Sequence, residues 1–352
     1  MRGLPLDWRW YAVHRWGAGA CLWACACGAP DPKPAIPDSG SLDFDYTDHE
    51  LRRFETHLVD GYLCPDAEDP SAASDVQFIE CAIEGENERT ATVADVLTVM
   101  SWNIERGQLL DAQLEVFRDG ALPTPDVLLL SEADRGCPRS GDRNVTRVLA
   151  EALQMNWAYA VEFVELPVRD RAEPCEHGNA VLSRYPLANV SQLRHRANRS
   201  WRDASDEPRL GGRIAVAADV VVGARVLHVV SVHYESEISA LDIQIAQAEE
   251  TADHAAAQPF GVLVGGDTNA PYYTFDLVND TTEDQTIGAF FERGFTDTHA
   301  SLPADARATR GPLVLDVQLA RDVSVEQPEV CPAAVCDPVS DHRAVWADLQ
   351  LR

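Results

Sequence analysis

The chain has 352 residues, 45% of them hydrophobic, enough to bury a large core as one big domain or two modest ones, so a wholly disordered protein is excluded. A formal net charge of −28 disfavours non-specific binding of nucleic acid, because phosphate backbones need a basic footprint. Lys33 is the only lysine, so nearly all positive charge is arginine, the better fork for phosphate oxygens.

Residues 1–27 read as an export leader. Arg2, Arg9 and Arg15 precede the mostly apolar WGAGACLWACAC, which is too short to be a good membrane span. Leu22-Trp23-Ala24-Cys25 resembles a bacterial lipoprotein box with Cys25 as the lipidated residue, and Cys27 is a less tidy candidate. An untidy signal peptide or a misplaced start stands beside that reading. Residues 28–43, rich in proline, glycine and serine, are expected to be a flexible linker that would hold a domain off a membrane. In the N-terminal extension, 44–94, Thr47 and Glu50 make a capping box, Leu51, Phe54 and Leu58 fall on one helical stripe, and Gly61 stops it. One short helix is expected there, and 63–92 is acidic and weakly patterned.

From 95 to 352 strand patterns dominate, and several end on polar groups. DVLTVMSWN alternates toward Asn103, DVLLLSE is a buried run ending at Glu132, and GNAVLSR follows His177. GRIAVAADVVVGARVLHVVSVHYE reads as a hairpin turning at Gly223. RNVTRVLAEAL and ALDIQIAQAEETADHA have helical spacing, with Leu241, Ile245 and Ala248 on one face of the second. Further strands are expected at Val262 to Val264, around Leu313 to Leu319, and at His342 to Leu349. In VLVGGDTNAP, Asp267 and Asn269 would project to one side if the chain stayed extended, while an Asx-type turn closing the strand explains the same residues. Cys64, Cys81, Cys137, Cys175, Cys331 and Cys336 form an even set in a chain that reads as exported, so disulfides are expected. Sequence proximity suggests Cys64–Cys81, Cys137–Cys175 and Cys331–Cys336, out of about 15 connectivities. No Cys-x-x-Cys pair supports the rival zinc site.

Four segments, SWNIE, LLSE, GGDTN and SDH, supply Asn103, Glu105, Glu132, Asp267, Asn269, Asp341 and His342. Hard oxygen ligands without a thiolate suit magnesium or manganese, which keep waters and share coordination with substrate phosphate. In order and wording these segments, with HGNAVLSRYPL between them and SDHRAV near the end, resemble the endonuclease/exonuclease/phosphatase superfamily over about 260 residues. The resemblance implies the deoxyribonuclease I-like fold, an α/β four-layer sandwich of two packed mixed sheets flanked by helices. It implies Glu132 as the principal metal ligand, with Asn103, Glu105 and Asp341 near metal or water. Asp267 and Asn269 would position the attacking water and steady phosphoryl oxygens, and His233 would assist the leaving group. His342 would be the essential histidine, with Asp316 as the carboxylate on its other ring nitrogen. LVLDVQLA lacks the aromatics the family usually has around that aspartate, and Ser131 and Thr268 also depart from the pattern.

The reaction implied is Mg2+- or Mn2+-dependent hydrolysis of a phosphate ester, on a lipid headgroup or small ester rather than duplex DNA. A secreted nuclease or an inactive binding scaffold of the same fold are the alternatives. Between two predicted strands, Arg184, Arg194, Arg196, Arg199, Arg202, Arg209 and Arg213 gather in an otherwise acidic molecule. Arg194, Arg196, Arg199 and Arg213 are the candidates for holding substrate phosphate, against pairing within the segment to Asp203, Asp206 and Glu207. An exported monomer, secreted, periplasmic or lipid-tethered, is expected.

Overall fold

The computed structural model describes residues 52–53, 83–166, 175–201, 208–270 and 284–351. All of them belong to one unit, Phe44–Arg352. The expected leader, Cys25, the linker, and Cys64 with Cys81 lie outside the described residues.

The strands in chain order are β1 (Arg52–Arg53), β2 (Ile83–Glu86), β3 (Val96–Arg106), β4 (Val127–Cys137), β5 (Arg143–Asn144), β6 (Asn156–Glu165), β7 (Cys175–Ser183) and β8 (Leu187–Arg194). They continue with β9 (Arg209–Gly211), β10 (Ile214–Val222), β11 (Arg225–His233), β12 (Gly261–Asp267), β13 (Thr296–Asp297), β14 (Asp316–Arg321), β15 (Ser324–Val330) and β16 (Val345–Gln350). One sheet runs β1-β2-β6-β7-β4-β3-β16-β15, with β5 on β4 and β9 on β6; the other runs β13-β14-β12-β11-β10-β8. Both are mixed: β3 and β4 are parallel, as are β11 and β12, within otherwise antiparallel neighbours.

Strand alternation explains how these sheets stack. Leu97 and Val99 of β3 and Val127 and Leu129 of β4 face the second sheet, where Val216, Ala218, Leu227, Val229 and Leu263 meet them. Met100, Trp102, Leu128 and Leu130 point the other way, under α1 (Leu110–Arg118) and α2 (Val145–Leu153). Val230, Val232, Val262 and Val264 face outward under α3 (Leu241–Ala256) and α4 (Gln285–Phe291). Strands buried on both faces need apolar residues at every position, which is why DVLLL and AVAADVVV read as continuous runs. The result is the four-layer sandwich expected. Polar bridges also join the two sheets near the strand ends: Ser131 Oγ donates to Val232 O at 3.0 Å, and Ser231 Oγ to Leu130 O at 2.9 Å. Among the described residues no helix is long and apolar enough to cross a membrane.

Several local expectations are corrected. Within the helix expected over 47–61, Arg52–Arg53 are extended and pair with Gly85 and Glu84; sheet pairing overrides the helical spacing there, and the rest of that segment lies outside the described residues. On α3 the buried stripe is Gln244, Gln247, Ala248, Thr251, Ala252 and Ala255, while Leu241 is exposed in the first turn. Small residues let α3 lie close on the sheet, and the two glutamines are buried because their amides reach main-chain groups. The arginine-rich segment is not one loop, since it contains the edge strand β8 and the short β9. Cys137–Cys175 and Cys331–Cys336 are both bonded.

Candidate active site

Three neighbouring strands of the second sheet deliver side chains in register. His233 at the end of β11 is paired with Asp267 at the end of β12, and Asp267 with Asp316 at the start of β14. Two glycines make this approach close enough. A side chain at Gly266, whose φ is 144°, would strike the Val232 carbonyl, and one at Gly265 would strike Ser101 Oγ. The strand ends at Asp267. Asn269 takes a left-handed φ of 46°, its N–H donates to Asp267 Oδ1 at 2.9 Å, and its amide donates to Tyr234 O at 3.1 Å. The Asx-type turn is therefore present, and Asp267 and Asn269 do not share one face of an extended strand. Asp267 keeps Oδ2 for the site.

From the first sheet, Asn103 Nδ2 donates to that Oδ2 at 2.9 Å. The parallel β3–β4 pairing breaks its register just past Asn103, and Glu105, Arg106 and Glu132 adopt φ of 47°, 64° and 57°. Left-handed conformations at non-glycine residues cost about 1–3 kcal/mol each and cluster where backbone geometry serves a site. Here they coincide with breaks of register, between Asn103 and Arg106 on β3 and between Leu130 and Ala133 within β4. Asp341 N donates to Glu105 Oε2 at 3.1 Å, and Ser340 Oγ donates to Asn103 O at 2.8 Å, so the late Ser-Asp-His turn is tied to β3.

His342 is buried, with Nδ1 2.7 Å from Asp316 Oδ2 and Nε2 3.7 Å from Asp267 Oδ2. Burial opposes its charge, but Asp316, then Asp267 and Asp341, outweigh it and raise its pKa to about 10. These carboxylates favour its imidazolium form at neutral pH. His233 is arranged similarly, with Nδ1 3.3 Å from Glu162 Oε2 and Nε2 3.7 Å from both Asp267 Oδ2 and Glu132 Oε1. Arg213 Nη1 lies 2.7 and 2.9 Å from the two ring nitrogens of His233 and 2.6 Å from Glu162 Oε1. Burial works against ionisation of Glu162, yet His233 and Arg213 bring its pKa down to about 2. At Glu132 burial is likewise overcome, by Arg106 first and then His233, His177 and His342, holding the carboxyl well below its ordinary range.

Two groups of metal-capable side chains are close together, Asp267 with Asp316 and His342, and Glu132 with His177 and His233. The first is a poor cation site, because a protonated His342 has no lone pair to give. The carboxyl of Glu105 is raised first by burial and then by its acidic neighbours Asp341 and Glu132. Asn103, Glu105, Glu132 and Asp341 are oxygen donors, a set that fits a hard divalent cation.

The sequence-derived residues Asn103, Glu105, Glu132, His233, Asp267, Asn269, Asp316, Asp341 and His342 thus gather into one connected cluster. The four arginines divide. Arg213 is buried against His233, whereas Arg196 pairs with Glu250 at 3.0 Å and Arg199 with Glu237 at 3.0 Å, the latter stacked 4.0 Å over Trp201. Arg194 is buried at the end of β8, and burial lowers its pKa to about 10. Asp203, Asp206 and Glu207 lie outside the described residues. Glu162, Arg106 and Gln244, whose amide donates to the Glu235 and Asn269 carbonyls, had no place in the sequence-derived set. The available signal for Glu162 was a lone glutamate inside the apolar run YAVEFV.

The model of the endonuclease/exonuclease/phosphatase family matches residues 100–342. No curated protein matches the sequence. Among solved structures, an endonuclease/exonuclease/phosphatase from Beutenbergia cavernae is 21% identical with a TM-score of 0.56, covering 73% of this chain and 72% of its own. The catalytic domain of human Nocturnin with bound sulfate is 15% identical with a TM-score of 0.54, over 77% of this chain and 98% of that one. TDP2 from D. rerio, complexed with single strand DNA product, is 16% identical with a TM-score of 0.51, over 73% and 99%. These likenesses agree on the fold, and the family match spans the strand ends that carry the cluster: the chain belongs to the endonuclease/exonuclease/phosphatase family.

Proposed function

We propose that the protein is an Mg2+- or Mn2+-dependent hydrolase of phosphate esters acting by in-line attack of water. The observation that carries this reading is the meeting of Asn103, His233 and His342 around Asp267 Oδ2, beside the oxygen donors Glu105, Glu132 and Asp341. When bound, the cation supplies charge neutralisation and polarisation of a phosphoryl oxygen. Asp267, fixed by Asn103 and by the Asn269 N–H, is placed to orient the attacking water and accept its proton. Imidazolium His342 stabilises charge developing on the phosphoryl oxygens, and Asp316 keeps it protonated and oriented. His233, held by Glu162 and Arg213, stands on the other side of Asp267 to serve the leaving group.

For substrate, the net charge of −28 favours a lipid headgroup or small phosphate ester over duplex DNA. The two disulfides support an oxidising compartment, in keeping with export and a lipid tether at Cys25. A nuclease is the second reading, favoured by the likeness to TDP2 bound to single strand DNA product. An inactive scaffold is disfavoured because every side chain needed for the chemistry is present. A panel of phospholipids, small esters and single- and double-stranded nucleic acids, assayed with Mg2+ and Mn2+, tests the proposal. Turnover restricted to nucleic acid would replace the first reading with the second, and no turnover on any class would remove both.

A further inference from the structure

His177 on β7 is fully buried and has no part in the chemistry above. Its Nδ1 lies 3.2 Å from Asp134 Oδ1, and its Nε2 has no hydrogen-bond partner. Leaving a buried polar atom unsatisfied costs about 1–3 kcal/mol, so an orphan imidazole nitrogen calls for an occupant. A ring nitrogen of His177, a ring nitrogen of His233 and a carboxylate oxygen of Glu132 all lie within 4.8 Å of one another. Asp134 faces His177 Nδ1, which favours the ring proton there and leaves Nε2 as the lone pair, whereas His233 Nδ1 lies between Glu162 Oε2 at 3.3 Å and the donor Arg213 Nη1 at 2.7 Å, so its tautomer is set by which of the two holds Nδ1. Asp134 is itself fixed by Arg139, at 2.6 and 2.8 Å.

Two imidazoles and one carboxylate, each imidazole backed by a second carboxylate, are the donors that borderline first-row ions select and magnesium does not. We infer that Glu132, His177 and His233 form a second cation site, which takes a divalent ion of the zinc class. It rests on the proposed function only in sharing Glu132 with the oxygen-donor group. The Glu132 side chain is 22% exposed and provides the way in. Arg213 Nη1 lies against both ring nitrogens of His233, so an ion at Nε2 requires it to swing off the ring, and its bonds to Glu162 and Ser236 are what anchor it when it does. An ion at this site removes the His233 lone pair from proton exchange with a leaving group.

The test uses tag-free, chelator-stripped full chain carrying His254→Ala, which dissolves the other close imidazole pair among the described residues, His228 with His254 at 3.2 Å. Cu2+ is the spectroscopic probe and Zn2+ the competitor, and Mg2+-supported ester hydrolysis is measured in parallel. The expected result is a Cu2+ ion with 14N couplings from two imidazoles, displaced by Zn2+ and not by excess Mg2+. His177→Gln should remove one coupling and weaken binding by more than about 100-fold, and Asp134→Asn by about 10- to 100-fold, the usual effect of losing an outer partner. Two couplings retained in folded His177→Gln, or none in the parent, overturn the site. If His177→Gln does not fold, the parent spectrum and Asp134→Asn decide by the same criteria. Hydrolysis without imidazole coordination sinks this inference alone, while imidazole coordination without hydrolysis sinks only the proposed function.

Discussion

Asp316→Asn isolates the charge on the essential histidine. The change keeps an oxygen acceptor 2.7 Å from His342 Nδ1 and removes the negative charge that leads the forces raising its pKa from 6.5 to about 10. That difference corresponds to roughly 5 kcal/mol in favour of the imidazolium. Asp267 and Asp341 remain, so part of it should survive; loss of even one pKa unit is about 1.4 kcal/mol. Initial rates on a chromogenic phosphodiester with Mg2+ should fall about 10²- to 10⁴-fold at neutral pH. The basic limb of the wild-type profile, set by His342 losing its proton near pH 10, should move down by at least about one unit in the variant. Stability follows the same sign. A folded-state pKa above the unfolded value stabilises fully below about pH 6.5, and that stabilisation is lost as pH rises toward 10. The stability gap between wild type and Asp316→Asn should therefore be widest below about pH 6.5 and close toward pH 10. Equal rates and coincident basic limbs would refute the reasoning.

Other outcomes follow from the same geometry. Asp267→Asn should lower turnover by about 10³-fold or more with the fold intact by circular dichroism, because one side chain accepts from Asn103 and the Asn269 N–H and faces both histidines. Arg213→Lys keeps a charge but loses the fork that spans Glu162, His233 and Ser236; kcat should drop more than KM rises, and a change in KM alone would contradict a positioning role. Replacing Cys137 and Cys175 by alanine frees a loop with a sequence separation of 38 and should destabilise by about 4 kcal/mol, read as a lower denaturation midpoint; an unchanged midpoint would show the bond to be dispensable.

Much of the cluster was legible because its groups sit where apolar strands stop. Asn103, Glu132 and Asp267 each end a run whose burial forces a strand, and a polar residue at such a point is conspicuous. Glu162 and His177 were not legible as site residues, because sheet order rather than chain order puts β7 beside β4 and β6 beside β7, with Glu162 and His177 both reaching His233 of β11. The edge strands β8 and β15 were missed for another reason. LANVSQLR and SVEQPEV have solvent at one edge, need no continuous apolar run, and β15 carries a proline and a register shift. Asn269 shows the limit of period-two reasoning. One left-handed residue after Gly266 turns an expected shared face into a turn that serves Asp267 through its backbone.

The most direct measurement of the central claim is turnover of a phosphodiester by chelator-stripped protein as Mg2+ or Mn2+ is titrated back, with Asp267→Asn run alongside. The account predicts no hydrolysis without added ion, saturable recovery with it, and at most about a thousandth of that rate in the variant. Full turnover with chelator present, or ion-dependent turnover that Asp267→Asn shares, would contradict it.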